Sequence, residues 1–558
     1  MLIGIDVGGT TTDAVLIEGD RVVRTSYVPT DHDNLLSCLL GALDKLVEGT
    51  DPKKIERVVL STTLITNMIA EGKTDPVALM LIPGPGANPK DYHLGLDPIV
   101  LDGAVDYRGR EIQKLNENQI KLASTSVASK GIQKVAVVGK FGQRNHAQEI
   151  QAKEIISKIA PGLKVEMGHQ VSGQLNFPRR AATTMLTIAT KDHYRQFVEQ
   201  MTKALTQRKI LSPVYILKAD GGTLPLDKSV QMPVETIFSG PAASIMGVMA
   251  LTEPGKTSVV VDIGGTTTDL ALILDGKPLL SSKGAKVESL LTHVRAFAVK
   301  SVAIGGDSAV NLANDCIAVG PGRMGPALCM GGPGPTPTDA MRVLGLSTIG
   351  DASLAEKAMA DLGNKIGKTS HEAAQMVIDS VVEKIVSEVD QMFLEWEQEP
   401  AYRVWEIMKK ETLSAQNVVG VGGAAPPLVP LVAKKLGARA VVPEYAPVAN
   451  AIGAAVARPT MTLNLRIDTE QGKYYVAEDG LSGKVSGKKM DLEQAEEMAR
   501  KLLVERSERL GIGEYAKEAV VTHSEIFNMI RGWSTVGRLL DVRMEIPAGI
   551  LPSWGRGC

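Results

Sequence analysis

Asp6-Val7-Gly8-Gly9-Thr10-Thr11-Thr12-Asp13 and Asp262-Ile263-Gly264-Gly265-Thr266-Thr267-Thr268-Asp269 repeat one motif in a single chain of 558 residues. In each copy an apolar run, Leu2 to Ile5 or Ser258 to Val261, delivers an aspartate, two glycines, three threonines and a second aspartate that opens another apolar run. That order predicts strand, tight turn, strand. Glycines let backbone N–H groups approach an anion closely, and the hydroxyls that follow add donors, so each turn makes a concave anion site. The aspartate before the glycines then faces a phosphate-bound cation. Mg²⁺ suits that place, being a hard cation held by one or two carboxylates plus water and substrate phosphates. One such turn alone reads as a glycine-rich hairpin, but identical GGTTTD tails in two halves predict two lobes facing one nucleotide. A hairpin rather than a helix follows the glycines, which excludes a Rossmann fingerprint, and there is no P-loop.

Composition narrows the class further. The length suggests two to four domains. Lys plus Arg number 61 against 63 Asp plus Glu, with no basic stripe, so nucleic acid is not an expected partner. No apolar run is long enough to span a bilayer and no charged n-region precedes Leu2, which leads us to expect a cytoplasmic protein. Cys38, Cys316, Cys329 and Cys558 are scattered without CxxC spacing, arguing against both a zinc site and a disulfide framework.

Outward from the first turn, Asp13 to Glu18 and Arg21 to Val28 read as strands. Leu36, Leu39, Leu43 and Leu46 share a helical face; Glu56 to Thr62 and Val77 to Ile82 read as strands around a helix Leu64 to Glu71. The second copy opens alike, with Val259 to Asp262, Asp269 to Leu274 and Pro278 to Ser282 as strands. Two stretches of small residues, Ser239 to Gly247 and Ala449 to Ala457, predict helices lean enough to cross closely at a hinge between lobes. Val418 to Pro427 reads as strand, Gly422-Gly423 turn and helix start, where a flat adenosine ring can approach bare backbone. A long helix from His371 to Glu399, ended by Pro400, carries the apolar seam Ile378, Val382, Ile385, Val389, Met392 and Trp396, expected to pack against its own domain. From about Thr460 the chain reads as a small α+β appendage with a charged helix, Leu492 to Arg509.

The order of these features resembles the actin, hexokinase and heat-shock chaperone ATPase superfamily. Within it, STTLITNMIAEG from Ser61, DGGTLP from Asp220, SGPAAS from Ser239, IGGDS from Ile304, VGPGRMGPA from Val319, PTPTDA from Pro335 and GVGGAAPPL from Gly420 resemble the A-type subunit of the hydantoinase/oxoprolinase family. The resemblance implies a two-lobed, duplicated, actin-like (ribonuclease H-like) α/β fold. We divide it as residues 1–240 for the first lobe, 241–458 for the second and 459–558 for the appendage. It further implies an enzyme that uses ATP and Mg²⁺ to phosphorylate the carbonyl oxygen of a small cyclic amide, imide or related compound, priming it for hydrolysis or carboxylation, often with a second, B-type subunit. The alternatives are a chaperone-like or reactivating ATPase and a small-molecule kinase.

On this reading Asp6 and Asp262 hold Mg²⁺ and its waters, while Thr10, Thr11, Thr266 and Thr267, with Gly8, Gly9, Gly264 and Gly265, hold phosphates. Asp13 and Asp269 orient the turns. Asp307 either faces substrate or a Mg²⁺-bound water, or caps a helix starting near Ser308. His146 reads as an acid–base candidate or, the reading we prefer, an exposed helix residue. The family pattern Asn-Pro-x-His-Glu is altered here to Asn145-His146-Ala147-Gln148-Glu149. Arg179 stands where the family tends to be acidic, the glycine run before Ser308 is broken, and the tail is short. Substrate identity, a companion subunit and self-association stay open at the level of sequence.

Overall fold

The computed structural model describes residues 1–554 apart from 32, 254–256, 314–315, 399–413, 479 and 486–489. Leu2–Val7 and Thr11–Glu18 pair antiparallel with Asp6 opposite Asp13, and Arg21–Pro29 continues the meander. On its other side Leu2–Val7 runs parallel to Arg57–Ser61, which is parallel to Val214–Leu217; Thr223–Pro225 closes this six-stranded sheet. The second repeat builds the same core. Ser258–Ile263 pairs antiparallel with Thr268–Leu274, setting Asp262 opposite Asp269, and parallel with Asn417–Val421, beyond which lies Arg439–Val441. In both sheets the strand that delivers the first aspartate is therefore central, and both its faces are buried.

Sequence patterning explains the covering helices. Leu35–Val47 buries Leu35, Leu39, Leu43 and Leu46 at helical spacing on the first sheet, with Asn34 capping its N-terminus through Ser37 N–H. Ser370–Glu397 starts with a capping box formed by Thr369 and Glu372 and buries Ile378, Val382, Ile385, Val389 and Met392 in the core of the second sheet. The heptad seam thus faces its own core, as its short length predicted. The Pro400 stop lies outside the described residues.

Helices Ser239–Leu251 and Ala449–Val456 cross at glycine contact. A Cβ added to Gly453 would stand 2.2 Å from Ala243 O, one on Gly247 2.2 Å from Ala449 O, and one on Gly4 2.0 Å from Ala451 O. Small side chains here are a steric requirement, because any larger group would drive the helices off each other and off the central strand.

A parallel four-stranded sheet, with Lys134–Gly139 and Val77–Ile82 at its centre, is inserted in the first half of the chain. The C-terminal region forms a five-stranded antiparallel sheet with helix Leu492–Arg509 packed on it, ending in a long hairpin, Val520–Arg531 and Ser534–Ile546. We propose the division at 240 and 458 on this sheet membership. No described helix is long and apolar enough to cross a membrane.

Two expectations need correction. The strand expected over Pro278 to Ser282 shortens to Lys277–Pro278 with a single antiparallel bridge from Leu280 to Phe297, because after Leu279 bonds Leu272 the chain passes to a second partner, Ser281 N–H donating to Ala296 O. No helix starts at Ser308: its hydroxyl accepts from Gly305 N–H at 2.8 Å, tightening a turn that leads into strand Val310–Ala313.

Candidate active site

The two repeated turns meet. Gly8 N–H donates to Thr11 O at 2.9 Å and Gly264 N–H to Thr267 O at 3.0 Å, so the same hairpin closure forms twice. A Cβ on Gly9 would lie 3.6 Å from Thr266 Oγ1, and one on Gly265 would lie 2.8 Å from Thr10 Cγ2. Between and behind the turns opens a cavity of about 1410 Å³ lined by Asp6, Gly8, Gly9, Thr10, Thr11, Asp262, Gly264, Gly265, Thr266, Thr267, Asp307, Gly422 and Gly423. Apart from His146, every residue singled out from the sequence for nucleotide, metal or catalysis is therefore gathered in one cleft, and so are Asp13 and Asp269.

The carboxylates are crowded and dry. Burial pushes Asp6 up to about 7, with Asp13 and Asp262 adding like charge against hydrogen bonds from Ser61 and Asn450. Burial likewise pushes Asp13 to about 6 and Asp269 to about 7, and raises Asp262. Asp262 Oδ2 accepts from Ser244 Oγ and, at 3.1 Å, from Asn450 Nδ2. Each donor sits on one of the crossing helices, so those helices hold a site carboxylate as well as the lobes. Asp6 Oδ1 and Asn450 Oδ1 are buried without a hydrogen-bond donor. Orphaned oxygen acceptors among mutually repelling carboxylates fit a hard divalent cation completed by water and phosphate oxygens. Among the described residues no three His, Cys, Asp or Glu side chains converge as a metal cage, so Asp6 and Asp262 would hold it with few protein ligands.

Gly422 needs its missing side chain. Its φ is +88°, and a Cβ there would stand 2.5 Å from Asp262 Oδ1. Met341, Met392, Trp396 and Pro427 add apolar surface to the lining of the same cavity. The sequence reading assigned Met392 and Trp396 to the helix seam and did not consider Met341; no local signal marks an apolar side chain as lining a cleft.

Asp307 belongs to the second turn. Its N–H donates to Gly265 O at 2.6 Å, Gly306 N–H donates to Gly264 O at 2.9 Å, and Thr338 Oγ1 donates to Gly306 O at 2.8 Å. Burial raises Asp307, while Arg323, whose Nη2 lies 3.1 Å from Asp307 Oδ2, acts to lower it. Arg323 was not foreseen, although it lies inside the VGPGRMGPA stretch. Asp339 of PTPTDA is structural: fully buried, it accepts from Leu328, Cys329 and Thr336 N–H groups.

His146 is placed elsewhere, outside the cleft lining. It is half-buried rather than exposed, stacked on His169 with ring centroids 4.6 Å apart. Burial lowers its pKa, and the neighbouring His169 adds to that. Glu149 accepts from His169 Nδ1 at 2.6 Å and from Gly139 N–H at 2.7 Å, making a buried brace under the inserted sheet.

The fold and this cleft define an actin-like, ATPase-type α/β architecture. Solved structures agree on the fold: nucleotide-free acetone carboxylase superposes with a TM-score of 0.72 at 17% identity, covering 99% of this chain and 87% of that one. ATP-dependent caprolactamase from Pseudomonas jessenii gives 0.70 at 19% identity, covering 97% and 87%. The hydantoinase/oxoprolinase family profile matches residues 180–462 and the profile of its N-terminal region matches 2–160. The chain belongs to the hydantoinase/oxoprolinase family. Curated relatives include an uncharacterized protein of Methanocaldococcus jannaschii, 25% identical over 431 residues (67% of this chain and 62% of that protein). The caprolactamase subunit alpha of Pseudomonas jessenii is 26% identical over 417 residues (69% and 58%). The acetophenone carboxylase gamma subunit of Aromatoleum aromaticum is 26% identical over 396 (62% and 53%). The chain thus spans 53% to 62% of the length of these three relatives.

Proposed function

We propose that this protein is an ATP- and Mg²⁺-dependent enzyme that phosphorylates the carbonyl oxygen of a small cyclic amide, imide or related carbonyl compound to drive hydrolysis or carboxylation. The observation that carries the reading is the contact between the two GGTTTD turns across a cleft whose Asp6 keeps a buried, unpartnered oxygen. In this reading the N–H groups and hydroxyls of both turns hold the phosphate oxygens, and the Gly422-Gly423 turn seats the adenosine. Asp6 and Asp262 hold Mg²⁺, which would supply charge neutralisation to the phosphates when bound. The substrate oxygen forms a bond to the terminal phosphorus while the bond to the ADP oxygen breaks, ADP keeping that electron pair; a poor leaving oxygen becomes a good one. Phosphoryl transfer needs mostly positioning and electrostatic stabilisation, which is what two preformed turns provide. The names of the relatives, one a caprolactamase subunit and one a carboxylase subunit, support hydrolysis or carboxylation and a second subunit. A cytoplasmic location belongs to the same proposal.

The test is ADP release from purified protein with Mg²⁺ and ATP against a panel of lactams, hydantoins and ketones, with and without bicarbonate. Stimulation by one of these compounds is the expected result. Stimulation by a protein partner alone would replace this reading with a nucleotide-switched regulator. Accumulation of a phosphorylated product without hydrolysis or carboxylation would make it a kinase.

A further inference from the structure

The hairpin that ends the C-terminal sheet has no part in the cleft and leaves an unusual surface. Val520–Arg531 is the edge strand, paired only with Ser534–Ile546. Its outer half exposes Ile526 (36%), Phe527 (52%) and Ile530 (69%), and Trp533 at the turn is fully in solvent. Ile526 and Phe527 are adjacent and so point to opposite faces, which means neither face of this stretch is covered. Edge strands are ordinarily blunted by charge, proline or a bulge on the free side. Here the register shift near the tip sets Met529 opposite Gly537 and Ile530 opposite Thr535, so the additional residue, Val536, lies on the inner strand, and the one bulge on the outer strand, at Thr522, lies at the end away from the tip. The outer strand keeps its alternation from His523 to Arg531.

We propose that this edge pairs antiparallel with the same strand of a second copy of the chain, about a two-fold axis at Asn528. An axis perpendicular to the sheet keeps each side chain on its own face, so it must pass through a residue. An axis through 526, 527 or 529 would place Glu525 opposite Phe527, Met529 or Trp533. The axis through Asn528 sets Glu525 opposite Arg531 at both ends, with Ile526 against Ile530 and Phe527 against Met529 between them. Of these four registers, charge and apolar pairing are satisfied together only in this one. Arg531 already bonds Glu470 at 2.6 Å, yet its side chain is 69% exposed, leaving further guanidinium N–H groups for a second carboxylate. The joined edges continue one five-stranded sheet into the next and bring each Trp533 beside the other copy's His523.

Sedimentation of the full chain over a wide concentration range tests this directly. A concentration-dependent dimer is expected, with Phe527→Glu raising its dissociation constant at least about tenfold. The register has its own readout. Asn528→Cys stands opposite itself and should form a disulfide-linked dimer under mild oxidation, whereas Ile530→Cys, which faces Ile526, and the unsubstituted chain should not. All three positions are solvent-exposed, and circular dichroism with ADP release confirms that each variant is folded. A monomer at every concentration overturns the proposal, including one that instead captures a different protein on this edge. So does a dimer indifferent to Phe527→Glu, or cross-linking at 530 in place of 528.

Discussion

The two GGTTTD turns are alike in sequence and hairpin closure, yet their surroundings differ. The first turn is tied through Thr30 N–H to Thr10 O at 2.9 Å, and its Asp6 keeps one oxygen unpartnered. The second is braced from three sides: Ser244 and Asn450 hold Asp262, Gly306 and Asp307 hold the glycine carbonyls, and Arg323 holds Asp307. Local sequence closes the same hairpin twice, and tertiary contacts give the two copies different surroundings.

The largest effect should come from removing either carboxylate. Asp6→Asn and Asp262→Asn are each expected to lower ADP release by more than about a hundredfold. Near-normal turnover in one of them would break the equivalence of the turns. Gly422→Ala should come next, because its Cβ would press on Asp262 from a left-handed backbone, whereas Gly423→Ala meets no protein atom within 4 Å and should lower ATP affinity less, through contact with the adenosine alone; titration calorimetry separates the pair. Arg323→Ala tests the brace on the second turn. We expect about a tenfold loss in kcat with a smaller change in KM, and partial rescue by Arg323→Lys. Equal values for all three proteins would leave Arg323 without a role in the chemistry.

Gly453→Val probes the frame itself. Overpacking the helix crossing should cost about 1–3 kcal/mol, read as a lower denaturant midpoint. At neutral pH the smallest effect belongs to a histidine whose contribution emerges only on acidification. Burial first, then the charge of Arg180, holds the His293 imidazole down to about 3, against 6.5 for the free group. Between those values the unfolded chain binds a proton that the folded chain does not, so stability is lost as pH falls from about 6.5 towards 3. His293→Asn should flatten that part of the curve, and an unchanged slope would show that the imidazole does not stay neutral in the fold.

Much of the fold was legible because its signals are local. Glycine pairs, threonine runs and strand alternation predict the two hairpins, and Leu39, Leu43 and Leu46 predict the helix that covers the first of them. The strand expected at Pro278 to Ser282 is shorter because the stretch exchanges its hairpin partner at Leu272 for Ala296 and Phe297, a change of neighbour that local β-propensity does not record. His146 was misread because its ring is half-buried by His169, a residue that sequence spacing does not connect to it. Arg323 was missed because an arginine in a glycine-rich loop carries no mark of the partner it reaches.

By itself the sequence determined that two equal glycine-threonine hairpins exist, since the same eight-residue order closes with the same backbone bond in each. It also determined that the crossing helices would be lean. Only the tertiary structure decided that the turns touch, that Ser244 and Asn450 bond Asp262 while Ser61 and Asn450 bond Asp6 and leave one of its buried oxygens unpartnered, and that Arg323 reaches Asp307. Those outcomes depend on burial and on contacts between residues far apart in the chain, where desolvation and geometry rather than local preference set the energy.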